Sequence, residues 1–98
     1  MNTQQKVKCA RIAETYGRGY QEKQTVSELS ELLYTLTRRP AQRKIDWKND
    51  LLDDIADAEI MLEQLRQLYH IELDALRERI DFKLDRQLSI MKTEGKQK

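Results

Sequence analysis

Two pairs of acidic residues are the part of this sequence whose types and spacing could do chemistry. Glu28 and Glu31 form one pair, and Asp54 and Asp57 form the other. Residues at i and i+3 lie on the same side of a helix, so two such helices packed face to face would bring four carboxylates together. Converging anions require cations, and oxygen ligands suit Mg²⁺ or Mn²⁺. We therefore predict a site for Mg²⁺, with Mn²⁺ as a possible substitute.

The scarcity of cysteine and histidine excludes other kinds of site. Cys9 and His70 are the only residues of their types. A single cysteine excludes a disulfide framework within the chain. A single histidine excludes a histidine-rich zinc site and argues against a Ser-His-Asp or Cys-His arrangement. Carboxylate chemistry is what remains.

Length and charge limit the partners that we expect. The chain has 98 residues, enough for one domain, and its 18 Lys and Arg nearly balance its 17 Asp and Glu. With such a balance, the protein as a whole has no electrostatic attraction to nucleic acid or to an anionic membrane. With no signal peptide or long apolar run, we expect a cytoplasmic protein without membrane or stable nucleic-acid binding.

The helix-breaking residues leave long uninterrupted segments. Pro40 is the only proline, and the three glycines are Gly17, Gly19 and Gly95. This spacing is typical of an all-α protein. We predict a single domain over residues 1–92 and a polar, disordered tail over 93–98. The helices are predicted over residues 3–16, 20–38, 48–69 and 72–92.

The acidic pairs adjoin apolar stripes on the second and third helices. The stripe of the second helix is Val26, Leu29, Leu32, Leu33 and Leu36, beside a polar strip of Gln21, Gln24, Glu28, Glu31 and Thr35. The stripe of the third helix is Leu51, Ile55, Ala58, Leu62, Leu65 and Tyr69. Asp54 and Asp57 project onto its flank. Since solvated acids should lie opposite a packing stripe, we expect these acids to adjoin the core.

Further apolar residues predict self-association. The third helix has a second patch, formed by Leu52, Ala56 and Ile60, on its other side. A helix that is apolar on two sides is buried on two sides, so we expect a homodimer or a dimer of dimers. The fourth helix carries a stripe with Arg79, Lys83 and Arg86 along its edge, which would suit a phosphate-bearing ligand. That stripe is Leu73, Leu76, Ile80, Leu84, Leu88 and Met91.

The segment between the second and third helices is long for a helical hairpin. It carries Arg38, Arg39, Arg43 and Lys44 before Trp47. These cations could bind phosphate or RNA, although clusters of this kind more commonly lie in a solvent-exposed loop without a ligand. Trp47 could stack on a nucleobase or close the core beneath the loop, and the second role is the commoner one. Asp46 or Asn49 could cap the third helix.

Several of these segments together resemble a known family. They are Tyr16-Gly17, Gln21, Glu28-Leu29-Ser30-Glu31-Leu32, the run from Asp53 to Leu65, and Lys83-Leu84-Asp85-Arg86. Over roughly residues 16 to 90 the chain resembles the MazG-like branch of the all-α nucleoside triphosphate pyrophosphohydrolases. That family carries Glu-Glu-x-x-Glu on one helix and Glu-x-x-Asp on the next. The resemblance implies a four-helix MazG-like bundle, completed by dimerisation.

The resemblance also implies an activity and roles for residues. Members of the family hydrolyse a nucleoside triphosphate to the monophosphate and pyrophosphate. The implied Mg²⁺ ligands are Glu28, Glu31, Asp54 and Asp57, with Glu31 and Asp57 also catalytic. The implied substrate-binding residues are Gln21, Lys83 and Arg86.

Two positions depart from the family pattern. Ser27 stands where the family has the first of two adjacent glutamates, and Asp54 stands where a glutamate is usual. Aspartate is one methylene shorter than glutamate, which matters at metal–oxygen distances near 2.0 to 2.1 Å. Asp54 could act through water, or Asp53 could take part. A catalytically weak or inactive helical interaction module on the same scaffold is therefore the alternative function.

Overall fold

The computed structural model describes residues 1–95, which form four α-helices and one short 3₁₀-helix. The polar tail predicted over 93–98 falls partly outside the described residues, and α4 itself continues to Thr93. The observed helix ends lie close to the predicted ones. The elements in order are α1 (Thr3–Tyr16), α2 (Arg18–Thr37), a 3₁₀-helix (Pro40–Gln42), α3 (Trp47–Leu68) and α4 (Leu73–Thr93).

The ends of the helices follow from local sequence. The Asn2 side chain accepts a hydrogen bond from the Gln5 backbone N–H, and the Gln5 side chain accepts one from the Asn2 backbone N–H, which completes a capping box at the start of α1. Gly17 separates α1 from α2 at φ 82°, a backbone conformation that residues with a Cβ rarely adopt. Asp46 occupies the cap position of α3, but its side chain makes no capping hydrogen bond.

Three of the four helices pack together. The pair α2 and α3 forms the most extensive contact, and α1 lies mainly against α3. Over residues 1–95, α4 has no extensive contact with another helix and contains no buried residue. The all-α class is confirmed. Within the described residues of one chain, three helices form a packed unit from which α4 projects. None of the described helices is long and apolar enough to cross a lipid bilayer.

The packed unit has a small and partly polar interior. Among the described residues, the buried apolar side chains are Cys9, Ala13, Ala58 and Met61. The buried polar side chains are Gln21, Thr25 and Gln64. A domain of this length that packed its leucines inside would be expected to bury far more apolar surface.

The interior is small and partly polar because of the way α2 and α3 are rotated about their axes. Three side-chain contacts bring the polar strip of α2 against α3, pairing Gln21 with Gln64, Thr35 with Asp54, and Glu28 with Asp57. The apolar stripes therefore turn outward. Most of their large side chains are exposed, namely Val26, Leu29, Leu33, Leu36, Ile55, Leu62 and Tyr69. The prediction that these stripes pack in the core is wrong for all their residues except Ala58, because the polar strip of α2 occupies the interface between the two helices.

Candidate metal site

Three of the four predicted carboxylates converge. Glu28 and Glu31 come from successive turns of α2, and Asp57 comes from the facing turn of α3. One oxygen from each lies within 4.8 Å of the others, and none of the three residues is buried. The i, i+3 spacing on α2 and the antiparallel partner helix produce this arrangement. Three converging carboxylate oxygens are a donor set that suits a hard divalent cation.

Asp54, the fourth predicted ligand, makes a hydrogen bond between the two helices instead of joining the other three carboxylates. Its Oδ2 accepts a hydrogen bond from Thr35 Oγ1 at 2.5 Å, between α3 and α2. The side chain is half-buried and lies outside the group of three converging carboxylates. Aspartate at this position therefore serves the contact between the helices, and a shared cation would be held first by the other three acids.

The clustering of like charges changes the proton affinity of Asp57. Loss of solvent raises the pKa of its carboxyl, and the negative charges of Glu28, Asp53 and Asp54 raise it further. A side-chain hydrogen bond with Glu28 acts in the same direction. A carboxylate whose pKa is raised by neighbouring anions holds a proton more tightly until a cation replaces it. The electrostatics of the cluster therefore favour cation binding.

Two glutamines of α2 have distinct positions near the cluster. Gln24 Nε2 donates to Glu28 Oε1 at 3.1 Å and so orients one of the three carboxylates. Gln21, predicted to lie near a nucleotide, is 3% exposed and donates through Nε2 to Gln64 Oε1 at 2.6 Å. Its own Oε1 has no hydrogen-bond partner among residues 1–95. Gln21 thus lies between the helices and not on the wall of the cavity described next.

A cavity of about 610 Å³ opens beside the carboxylates. Glu31 belongs both to the cluster and to the cavity wall, so the two features are continuous. The volume is in the range of small-molecule sites, about 300 to 1,000 Å³. The wall of the cavity carries both acidic and basic residues. The charged and aromatic residues of its wall are Glu31, Asp50, Asp53, Asp54, Arg38, Arg43, Lys44, Tyr34 and Trp47.

Aromatic contacts position two arginines of the cavity wall, Arg38 and Arg43. The Arg43 guanidinium lies 3.8 Å from the centre of the Trp47 ring, and Arg43 Nε donates to the Arg38 carbonyl at 3.0 Å. Trp47 Nε1 donates to the Thr35 carbonyl at 3.0 Å, which ties the start of α3 to α2. Arg38 in turn lies over the Tyr34 ring. Arg38 and Arg43 are therefore positioned on the cavity wall by stacking and hydrogen bonds.

The predicted phosphate-binding residues of α4 are not part of this arrangement. Lys83 and Arg86 are exposed on a helix that has no extensive contact with the packed unit. The cations on the cavity wall are instead Arg38, Arg43 and Lys44. From the sequence, a solvent-exposed loop was the favoured explanation for this basic cluster. The signal that could have identified them is the position of this basic cluster, between the two helices that carry the acidic pairs.

Comparison with known protein families, with curated proteins and with solved structures finds no match to this chain.

Proposed function

We propose that this protein is a metal-dependent nucleoside triphosphate pyrophosphohydrolase. The substrate would be a ribo- or deoxyribonucleoside triphosphate, and the products its monophosphate and pyrophosphate. The proposal rests on one observation above all. Three carboxylates from two helices converge within 4.8 Å, and one of them, Glu31, lies on the wall of a cavity that also carries arginine and lysine.

The arrangement suits a substrate that carries several negative charges. Glu28, Glu31 and Asp57 would hold a divalent cation, Mg²⁺ or Mn²⁺, which when bound neutralises the polyphosphate and polarises the phosphorus under attack. Arg38, Arg43 and Lys44 would bind phosphate oxygens that the cation leaves uncompensated. A cavity wall with both acidic and basic residues could therefore bind a triphosphate together with its cation.

The side chains of the cluster can also accept the proton of the attacking water. Hydrolysis adds water oxygen to the α-phosphorus and breaks its bond to the oxygen that bridges to the β-phosphorus. Glu31 is suited to take the proton from that water, because it borders the cavity. Asp57 is a second candidate, since a raised pKa makes a carboxylate a better proton acceptor. No cysteine or histidine is required.

The proposed assembly is a MazG-like bundle completed by a second copy. Lys83 and Arg86 could contribute to phosphate binding only from such a partner, because α4 does not reach the cavity within one chain. A homodimer or dimer of dimers is therefore part of the proposal.

A helical interaction module without catalysis is the second candidate. Two observations favour it, namely Ser27 in place of an acidic residue and the engagement of Asp54 by Thr35. In this case the carboxylates would be a surface cluster, and their removal would change stability but no activity.

The decisive experiment measures pyrophosphate release from a panel of canonical and modified nucleoside triphosphates. Each substrate is tested with Mg²⁺, with Mn²⁺ and with EDTA. We expect metal-dependent release from a subset of the panel. Asp57→Asn should abolish it, because this change removes a charge from the cluster while keeping the side-chain shape.

The matched control is Asp81→Asn, which removes a carboxylate from the exposed surface of α4. This variant should retain the activity of the unchanged protein. Release that is equal in Asp57→Asn and in the unchanged protein would contradict the proposed site. No release across the panel, together with no metal binding by calorimetry, would favour the interaction module.

A further inference from the structure

A second cavity lies at the end of the packed unit that is remote from the converging carboxylates. Its volume is about 340 Å³, within the range of about 300 to 1,000 Å³ that is typical of small-molecule sites. The wall is formed by α1, the start of α2, and the end of α3 with the residues that follow it. Arg18 on this wall lies about 15 Å along α2 from Glu28. Within residues 1–95 the two cavities share no wall residue.

The wall of the second cavity combines apolar residues with two opposite charges. Its apolar residues are Ala10, Ala13 and Leu68. Glu14 contributes a carboxylate and Arg18 a guanidinium. Neither takes part in an ion pair among residues 1–95. Both charges are therefore available to a ligand.

An aromatic ring positions the guanidinium of Arg18. Its central carbon lies 5.4 Å from the centre of the Tyr69 ring, which is a cation–π distance. Tyr69 is the residue that ends α3. The contact therefore places the positive charge of Arg18 beside the segment between α3 and α4, next to His70.

The side chain of Gln67 is also fixed. Its Nε2 donates to the Lys6 carbonyl at 3.1 Å and to Glu63 Oε2 at 2.5 Å. An amide nitrogen carries two hydrogens, so these two contacts use both of its donors. The group of Gln67 that remains for a ligand is the oxygen Oε1, which can only accept a hydrogen bond.

His70 has a backbone conformation that usually belongs to glycine. Its φ is 55°, and among residues 1–95 it is the only non-glycine residue with a positive φ. Its N–H donates to the Gln67 carbonyl at 3.1 Å, and the N–H of Ile71 donates to the Arg66 carbonyl at 3.0 Å. This is the Schellman pattern at the end of a helix, where glycine is preferred because it lacks a Cβ. A histidine retained at such a position, on the wall of a cavity, points to a function for its side chain.

We propose that the second cavity binds a free α-amino acid with an apolar side chain. The Arg18 guanidinium would donate to the carboxylate of the amino acid, and so would the His70 imidazole, which has an N–H donor even when neutral. The Glu14 carboxylate and Gln67 Oε1 would accept from its ammonium group. Its side chain would lie against the apolar residues of the wall. A ligand with one sign of charge would leave either Glu14 or Arg18 beside a like charge, so a zwitterion fits best.

The test is titration calorimetry with L-leucine, L-methionine and L-phenylalanine at up to millimolar concentration. The N-acetyl derivative of each amino acid lacks the ammonium charge, and the amide derivative lacks the carboxylate. We expect saturable binding of at least one of the three. Both of its derivatives should bind about tenfold more weakly or worse, because each loses a charge-assisted hydrogen bond.

Substitution of His70 separates a binding role from a structural one. Glycine suits a φ of 55° better than histidine does, so His70→Gly should be at least as stable in urea as the unchanged protein. Its affinity for the amino acid should nevertheless fall about tenfold. Arg18→Gln and Glu14→Gln should weaken binding similarly. The matched controls Arg11→Gln and Glu22→Gln change exposed residues outside the cavity wall and should leave binding unchanged.

Three outcomes would overturn the proposal. The first is that none of the three amino acids binds. The second is binding that acetylation and amidation leave unchanged, because the charged ends would then not be recognised. The third is binding that Arg38→Gln weakens and Arg18→Gln does not, which would place the amino acid in the larger cavity. None of these measurements requires hydrolysis of a nucleotide, so the result is independent of the proposed activity.

Discussion

Thr35 donates a hydrogen bond to Asp54 and so joins α2 to α3 beside the converging carboxylates. The bond gives a half-buried carboxylate a partner and keeps it outside the group formed by Glu28, Glu31 and Asp57. One of the four acids thus joins the two helices while the other three converge. The stability of the hairpin and the composition of the candidate metal site are coupled through this pair.

Removing the hydroxyl of Thr35 should destabilise the fold. Thr35→Val keeps the side-chain shape and leaves Asp54 without its donor, so we expect a loss of about 1 to 2 kcal/mol in the free energy of unfolding. Urea denaturation followed by circular dichroism measures it. The control is Thr15→Val, which removes an exposed hydroxyl that bonds the Arg11 carbonyl of its own helix. Equal losses in the two variants would show that the contact with Asp54 contributes no stability.

A divalent cation should stabilise the protein through the three carboxylates. We expect Mg²⁺ or Mn²⁺ to raise the melting temperature of the unchanged protein, because the cation binds the folded cluster and relieves its repulsion. Asp57→Asn should remove most of this increase, whereas Asp81→Asn should keep it. Differential scanning fluorimetry with and without EDTA provides the measurement. An increase of the same size in both variants would place the bound cation elsewhere.

Without metal, Asp57→Asn should make the protein more stable. Asp57→Asn removes like-charge repulsion from Glu28, Asp53 and Asp54, so the metal-free variant should be more stable by a few tenths of a kcal/mol to about 1 kcal/mol at neutral pH. Chemical denaturation in EDTA measures this difference. A metal-free variant that is less stable than the unchanged protein would mean that the Asp57 charge is favourably compensated.

The raised pKa of Asp57 gives this difference a definite pH dependence. The folded carboxyl binds its proton more tightly than the unfolded one, so its contribution to stability is complete below the unfolded pKa, near 3.8, and is lost as the pH rises through the folded pKa. The advantage of Asp57→Asn should therefore grow with pH over that window. Protons also compete with the cation, so the metal-induced rise in melting temperature should be larger at neutral pH than in mildly acidic buffer. A difference that does not vary with pH would exclude this coupling.

The buried pair Gln21 and Gln64 should show strong coupling in a double-mutant cycle. Gln64→Leu leaves the Gln21 amide without its partner in the interior, at an expected cost of about 1 to 3 kcal/mol. Replacing both residues by leucine removes both polar groups together and should cost much less than the sum of the single changes. Urea denaturation of the four proteins gives the coupling energy. Additive losses would mean that the hydrogen bond between the two amides contributes little.

The positions of the helices and the composition of their faces were determined by the sequence alone. Gly17 and Pro40 interrupt the helical periodicity where α1 and α2 end, and the observed ends lie close to the predicted ones. The i, i+3 spacing of the acids also determined that each pair shares one side of its helix. These are local properties, since a break or a periodicity depends on residues a few positions apart.

Which face of each helix turns inward was decided only by the tertiary structure. Periodicity shows that Leu33 and Leu36 share a side and that Glu28 and Thr35 share another, but it does not show which side finds its partner within the same chain. Here the polar side packs, and the hydrogen bond between Thr35 and Asp54 is made across it. The apolar stripes face outward because burial drives apolar surface away from water without specifying what covers it, and contacts between residues distant in sequence select the covering surface.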